Sequence, residues 1–167
     1  MDPSRNNLKI RVINSDSSQE IELVATRMRQ TLVEVLGAER GTDLYSMTWL
    51  RDRVLFHLDP AQSHGQIFVA EIQSSIVGHF IVRIELDEQG LHFGYGSTIF
   101  VDPVHRRQRI AAALLTAGED WMRERGVSES LYFTAETNEK LINLFCKHGY
   151  KQIERSDEMV KLKKTFN

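Results

Sequence analysis

The chain is short of several things, and each shortage narrows what it can be. It has one cysteine, Cys146, in 167 residues. That excludes an internal disulfide framework and fits a reducing compartment. Its three prolines fall at 3, 60 and 103, and two of them read as punctuation, Pro60 ending a helix and Pro103 stopping a strand. No apolar run approaches the roughly 18 residues that would suggest a membrane span. The first seven residues lack the apolar core of a signal peptide, so the cytoplasm is the expected location. Lys and Arg total 21 against 23 Asp and Glu, a net charge of −2. That is too little to imply nucleic acid or a membrane as partner. The six histidines, at 57, 64, 79, 92, 105 and 148, show no His-x-His or paired helical spacing, and no metal site is expected.

What is present is ordinary in bulk. A hydrophobic fraction of 41% with 26% charged residues is that of a globular protein, and the length suits a single domain, residues 1–167, with a real core. Leu8 to Ile13 alternates as a strand should. Ser15-Asp16-Ser17-Ser18 offers helix caps, after which Ile21, Val24, Ala25, Met28, Leu32, Val35 and Leu36 recur at helical spacing up to Gly37. A second helix is expected from about Leu44 to Leu58. Strands follow at Gln66–Ile72, Ile76–Leu86 and Leu91–Val101, joined at Gln73-Ser74-Ser75 and Asp87-Glu88-Gln89-Gly90. A helix then runs to about Arg125, Ser130–Ala135 is a strand, and Asn138–His148 a helix. Strands at Tyr150–Glu154 and Met159–Leu162 close the chain around a turn at Arg155-Ser156-Asp157-Glu158. The order β-α-α-β-β-β-α-β-α-β-β is that of an α/β (α+β) protein. It implies one mixed, mostly antiparallel twisted sheet with helices on both faces.

The most informative stretch is Val101-Asp102-Pro103-Val104-His105-Arg106-Arg107-Gln108-Arg109-Ile110-Ala111-Ala112-Ala113. A strand ends, a short basic turn follows, and small residues open a helix. Free N–H groups and the positive end of the helix dipole make a first turn an anion site suited to a pyrophosphate. The small alanines let a bulky ligand approach the main chain. Arginines in that turn oppose the dipole, which points to a purpose other than helix stability. The segment resembles motif A of the GNAT (Gcn5-related N-acetyltransferase) superfamily, Val-x-Pro-x-x-Arg/Gln-x-x-Gly-x-Gly/Ala. Arg106 holds the Arg/Gln position and Ala111 the last one, while Arg109 stands where the middle glycine is usual. A second stretch, Asn138-Glu139-Lys140-Leu141-Ile142-Asn143-Leu144-Phe145-Cys146-Lys147-His148-Gly149-Tyr150, resembles motif B, Asn-x-x-Ala-x-x-Leu-Tyr-x-x-x-Gly-Phe, through Asn138, Leu144, Gly149 and Tyr150. A dinucleotide fold is a poor rival, since Gly94-Tyr95-Gly96 lies within a strand and no further glycine completes the pattern.

The resemblance implies a GNAT fold and N-acetyl transfer from acetyl-CoA. The main chain of Ile99, Phe100 and Val101 is then expected to pair with the pantetheine arm. The amides of Arg107, Gln108, Arg109, Ile110, Ala111 and Ala112, with Arg106 nearby, are expected to hold the pyrophosphate, and Asn138 to contact the cofactor. Phe145 occupies the position of a tyrosine that commonly protonates the departing thiolate. It is expected to face the cofactor groove, with Leu141 and Leu144 on the same inward side, while Cys146 is read as a buried small residue. Loss of the phenol is survivable, because a thiol pKa of about 8.5 makes thiolate a tolerable leaving group. His92, Tyr95 and Glu136 are the candidates for taking the amine's proton. His92 is expected to share open space with Gly94 and Gly96, and Tyr95 to face the other way. The first two helices and the last hairpin, with Tyr45, Trp49, Arg51, Asp52, Arg53, Phe56, Arg155, Asp157 and Glu158, are expected to wall the acceptor. The partner expected is a small-molecule amine, with a peptide as the alternative and room for a homodimer. A non-catalytic acyl-CoA-binding domain is the rival that Phe145 keeps open.

Overall fold

The computed structural model describes residues 7–166. The elements are β1 (Leu8–Val12), α1 (Ser18–Leu36), α2 (Ala38–Asp43), α3 (Met47–Leu58), β2 (His64–Ile72), β3 (Ser75–Leu86), β4 (His92–Val101), α4 (Ile110–Glu124), β5 (Glu129–Ala135), α5 (Glu139–Lys147), β6 (Lys151–Ser156) and β7 (Met159–Thr165). A single 3₁₀ turn, Pro103–His105, joins β4 to α4. One seven-stranded sheet runs in the order β1-β2-β3-β4-β5-β7-β6. Every neighbouring pair is antiparallel except β4 and β5. This is the α/β mixed sheet expected.

Serine caps set the starts of two helices. The Ser17 hydroxyl accepts from the Glu20 N–H at 3.2 Å, and Ser46 accepts from the Trp49 N–H at 3.0 Å. The second expected helix starts at Met47 rather than Leu44, and an unexpected short helix, α2, precedes it. Gly41 explains it, since a Cβ there would sit 2.5 Å from the Val33 Cα. The missing side chain lets α2 fold back onto α1. The last turn is also tighter than expected. Arg155 and Ser156 stay in β6, and only Asp157 and Glu158 turn, both left-handed at φ 52° and 65°. Two left-handed residues make a type I′ hairpin.

The sheet buries both faces. Val24, Ala25 and Met28 of α1 and Leu50 and Val54 of α3 pack on Ile67, Val69 and Ile81. On the other face Ile110, Leu114, Leu115 and Met122 of α4, with Ile142 and Phe145 of α5, pack on Phe80, Val82, Ile99 and Tyr132. The nine residues of α5 are too few to hold a helix alone. Burying Ile142 and Phe145 supplies about 1.5–3 kcal/mol each, which is what docks it. Cys146 lies on the opposite side of α5 and is exposed, contrary to expectation, because neighbours on a helix point about 100° apart.

Candidate active site

β4 begins paired on both sides and ends paired on one. Gly94, Tyr95 and Gly96 pair with Ser130, Leu131 and Tyr132 of β5. Beyond them β4 keeps β3, from Thr98 opposite Ile81 to Val101 opposite Gly78, while β5 keeps only β7. Ser97 is the reason. It is an extra residue, because Ile81 pairs with Thr98 and Val82 with Gly96. A bulge bends its strand and adds twist, so the parallel strands part there and leave a notch.

The notch has a defined polarity. The Asp102 N–H donates to Val77 O at 2.7 Å. Amides alternate sides along an antiparallel strand. Thr98, Phe100 and Asp102 therefore point at β3, and Ile99 and Val101 point their N–H groups into the notch. Val101 O is already taken, accepting from Arg106 Nε at 2.9 Å. Arg106 also donates to both carboxylate oxygens of Glu34 at 3.0 and 3.1 Å. It braces the end of β4 against α1, so its guanidinium is not free in the turn.

At the head of the notch stands the start of α4. Arg107 and Arg109 are left-handed at φ 67° and 63°, with Gln108 between them. Arg109 is the N-cap and offers no side-chain bond to the first turn. The amides of Ile110, Ala111 and Ala112 are thus uncapped by a side chain, and alternating backbone of this kind aims N–H groups into a concavity. The departure at Arg109 is now legible. The residue keeps the backbone shape that glycine adopts freely, at a cost of about 1–2 kcal/mol. Arg107 and Arg109 are exposed and make no ion pair among the described residues.

The structure places Ile99, Phe100 and Val101 on the open edge of β4, the turn from Arg107 to Ala112 at the start of α4, and Asn138 beyond the end of β5, at the start of α5. Asn138 donates from Nδ2 to Thr134 Oγ1 at 3.3 Å and makes no side-chain cap to α5. Tyr95 is on the last rungs before the notch. Its ring lies under the Arg83 guanidinium at 4.1 Å and 5.8 Å from Phe133. Glu136 follows β5 directly. Its carboxylate lies 3.6 Å from Arg155 and its N–H donates to Glu158 O at 2.9 Å.

Two expectations need correcting. His92 opens β4 opposite Leu86, seven residues before Ile99, or roughly 23 Å at strand rise. The space beside Gly94 and Gly96 is filled as well. A Cβ on Gly94 would meet Met122 Sδ at 2.4 Å, and one on Gly96 would meet Tyr132 Cδ2 at 2.7 Å. Phe145 does not line an open groove. It has no exposed surface and packs 4.3 Å from the Tyr132 ring and 4.8 Å from Tyr150. Sequence reasoning passed over Tyr132, although a tyrosine at a buried parity of β5 was there to see.

Two buried histidines sit on the α1/α3 face. His57 Nε2 lies 3.1 Å from Arg83 Nη1, and Nδ1 lies 2.9 Å from Arg53 O. A guanidinium only donates, so the ring proton is on Nδ1. Burial pushes the pKa down to about 4. His79 lies 3.2 Å from Thr98 Oγ1 through Nε2, and burial, aided by the Arg27 charge, lowers it to about 3.

Residues 28–150 match the acetyltransferase (GNAT) family. That is most of the chain, and the protein belongs to this family. It is therefore an acyltransferase by family. No curated protein matches it. Solved structures of the same fold include the PaiA N-acetyltransferase of Thermoplasma acidophilum in complex with coenzyme A, with a TM-score of 0.77 at 16% identity over 95% of this chain and 99% of that one. Ard1 of Thermoplasma volcanium gives 0.69 at 20% identity over 96% and 99%. The NatC complex bound to Gag peptide and CoA gives 0.72 at 14% over 96% and 99%. Identities this low establish the fold.

Proposed function

We propose that the protein transfers an acetyl group from acetyl-CoA to the primary amine of a small molecule, in the cytoplasm. The notch between β4 and β5 carries the reading. A pantetheine arm has amides that pair with an open strand edge, and a pyrophosphate needs an anion site. Here the open edge of Ile99, Phe100 and Val101 leads to the uncapped start of α4, with two exposed arginines around it. The residues fit the group. Ile99 and Val101 would hold the arm, and the amides from Arg107 to Ala112 the pyrophosphate, with Arg106 bracing the strand from behind. Asn138 would close the far side.

Acyl transfer needs a polarised carbonyl, a neutral amine and a leaving thiolate. The Ile99 N–H points into the notch and supports the carbonyl oxygen. Tyr95 and Glu136 flank the notch, and Glu136 takes the amine's proton through water. The solved relatives bound to coenzyme A support the choice of donor.

A peptide is the second reading. It is favoured by Phe133, which stands 38% exposed on β5 with Lys161 5.7 Å from its ring. Calorimetry with acetyl-CoA, then turnover with a panel of small amines and free peptide N-termini, tests both. Small amines should react best, and a preference for peptides selects the second reading. Binding without turnover of any amine would make the chain a binder. In a folded Ala111→Glu variant, acetyl-CoA binding should be lost, because the side chain blocks the turn and adds like charge. Unchanged affinity there removes the assignment of the α4 turn.

A further inference from the structure

Phe145 takes the phenol out of motif B, but a hydroxyl remains beside it. Three rings pack against one another beneath the notch, Tyr132 tilted on Phe145 and Phe145 edge-on to Tyr150. Two of them carry hydroxyls, and their situations differ. The Tyr150 hydroxyl donates to Ser130 Oγ at 2.9 Å and lies near Glu119, which Lys164 holds at 2.7 Å. It belongs to a closed polar cluster on the β5–β7 side.

Tyr132 stands opposite Gly96, at the last rung before β4 and β5 part. Its ring lies across the bare backbone of Gly96, where a Cβ would come within 2.7 Å of Tyr132 Cδ2 and 3.1 Å of Phe80 Cε1. From there the ring points toward Ile99 of β4 and brings the hydroxyl beside that residue's backbone N–H, the two not forming a hydrogen bond. That N–H is one of the two that point into the notch. It can only donate, so it leaves the hydroxyl's own proton free. Among the described residues no side chain accepts that proton. Burial raises the phenol's pKa above its ordinary value, so the hydroxyl stays protonated.

We propose that Tyr132 supplies the hydroxyl that Phe145 lacks, contacting the thioester sulfur in the notch and protonating the departing coenzyme A thiolate. The inference rests on the acetyl-transfer reading of this site. The amine's lone pair forms the C–N bond to the acetyl carbon, and the C–S electron pair leaves with sulfur. The Tyr132 proton passes to that sulfur. The first proton has left the ammonium for Glu136, and the phenolate recovers, through water, the second, which the nitrogen loses as the amide forms. The products are an amide and a thiol, and tyrosine ends as it began. Gly96 has a matching purpose, since any side chain there would push the ring off β4.

Four proteins test this: wild type, Tyr132→Phe, Phe145→Tyr, and the double variant Tyr132→Phe/Phe145→Tyr. Calorimetry measures binding of coenzyme A and acetyl-CoA, and ultraviolet absorbance titrates the thiol of bound coenzyme A. Turnover is measured with the best amine of the panel. In Tyr132→Phe, binding should hold, kcat should fall by about tenfold or more with KM unchanged, and the bound thiol should titrate higher. The double variant returns a hydroxyl from the neighbouring ring and should recover part of kcat. A folded Tyr132→Phe with wild-type kcat and an unmoved thiol titration overturns the role of Tyr132 while leaving the acetyl-transfer reading intact. Failure of folded wild type to bind coenzyme A overturns that reading and this one with it. Should Tyr132→Phe not fold, the wild-type titration decides. A bound thiol that titrates at or above free coenzyme A in the same measurement overturns the proposal, and one below it supports it.

Discussion

His57 and His79 are held neutral by what surrounds them, and acid should find them first. Each titrates near 6.5 when the chain is unfolded, but at about 4 and about 3 in the fold. Between those values the unfolded chain takes up protons that the fold refuses. The histidines thus cost nothing above about pH 6.5, and stability is lost as pH falls below it, by up to about 1.4 kcal/mol per pH unit for each ring. Thermal denaturation should show a flat Tm near neutrality and a decline on acidification. His57→Gln should make the decline shallower, and an identical slope would refute the assignment. Arg109 is the other residue under tension. Arg109→Gly removes a side chain from left-handed backbone, a gain of about 1 kcal/mol, or about 2–4 °C in Tm for a domain of this size. An unchanged or lower Tm would show that the arginine compensates for its conformation. The site residues were unevenly legible for a physical reason. Helical spacing put Phe145 on the inward side of α5 correctly, but inward means both core and groove, and only packing separates them. His92 was misplaced because alternation says which face a residue takes and nothing of where along the strand the ligand lies.

Among the elements, the sequence was clearest where periodicity and caps agree. α1 runs from its Ser17 cap to Gly37, and α4 closes at Gly126, left-handed at φ 80°. What it hid was register. Nothing in Gly96-Ser97-Thr98 announces that Ser97 is surplus, since a bulge is recognised only against the partner strand. Yet that residue opens the notch. The β6–β7 hairpin offers a test at this scale. Its turn residues Asp157 and Glu158 are both left-handed, a geometry that favours Asn-Gly. Asp157→Asn with Glu158→Gly should stabilise the protein by about 1 kcal/mol, read as a higher denaturant midpoint. A lower midpoint would mean that the Glu136–Glu158 backbone contact at 2.9 Å depends on the original turn. β6 is exposed along its whole length and forms one sheet edge. Its charged Lys151, Glu154 and Arg155 discourage pairing with another chain.

At the scale of the whole molecule, the sheet divides into β1–β4 and β5–β7, with α4 as the covalent crossover. Hydrogen exchange should report the division. The amides of Ile99 and Val101, deep in the fold yet facing the notch, should exchange faster than those of Thr98 and Phe100, which bond to β3. Coenzyme A should slow the first pair selectively, and equal protection of all four in the free protein would contradict the notch. The three rungs that join the halves, Gly94–Ser130, Tyr95–Leu131 and Gly96–Tyr132, carry a mechanical meaning too. A tension drawn across the sheet between Leu8 and Thr165 meets long zippers everywhere except there. The molecule should yield along that short seam before any other, as two plates parting, and a guest lying in the opening would act as a rivet.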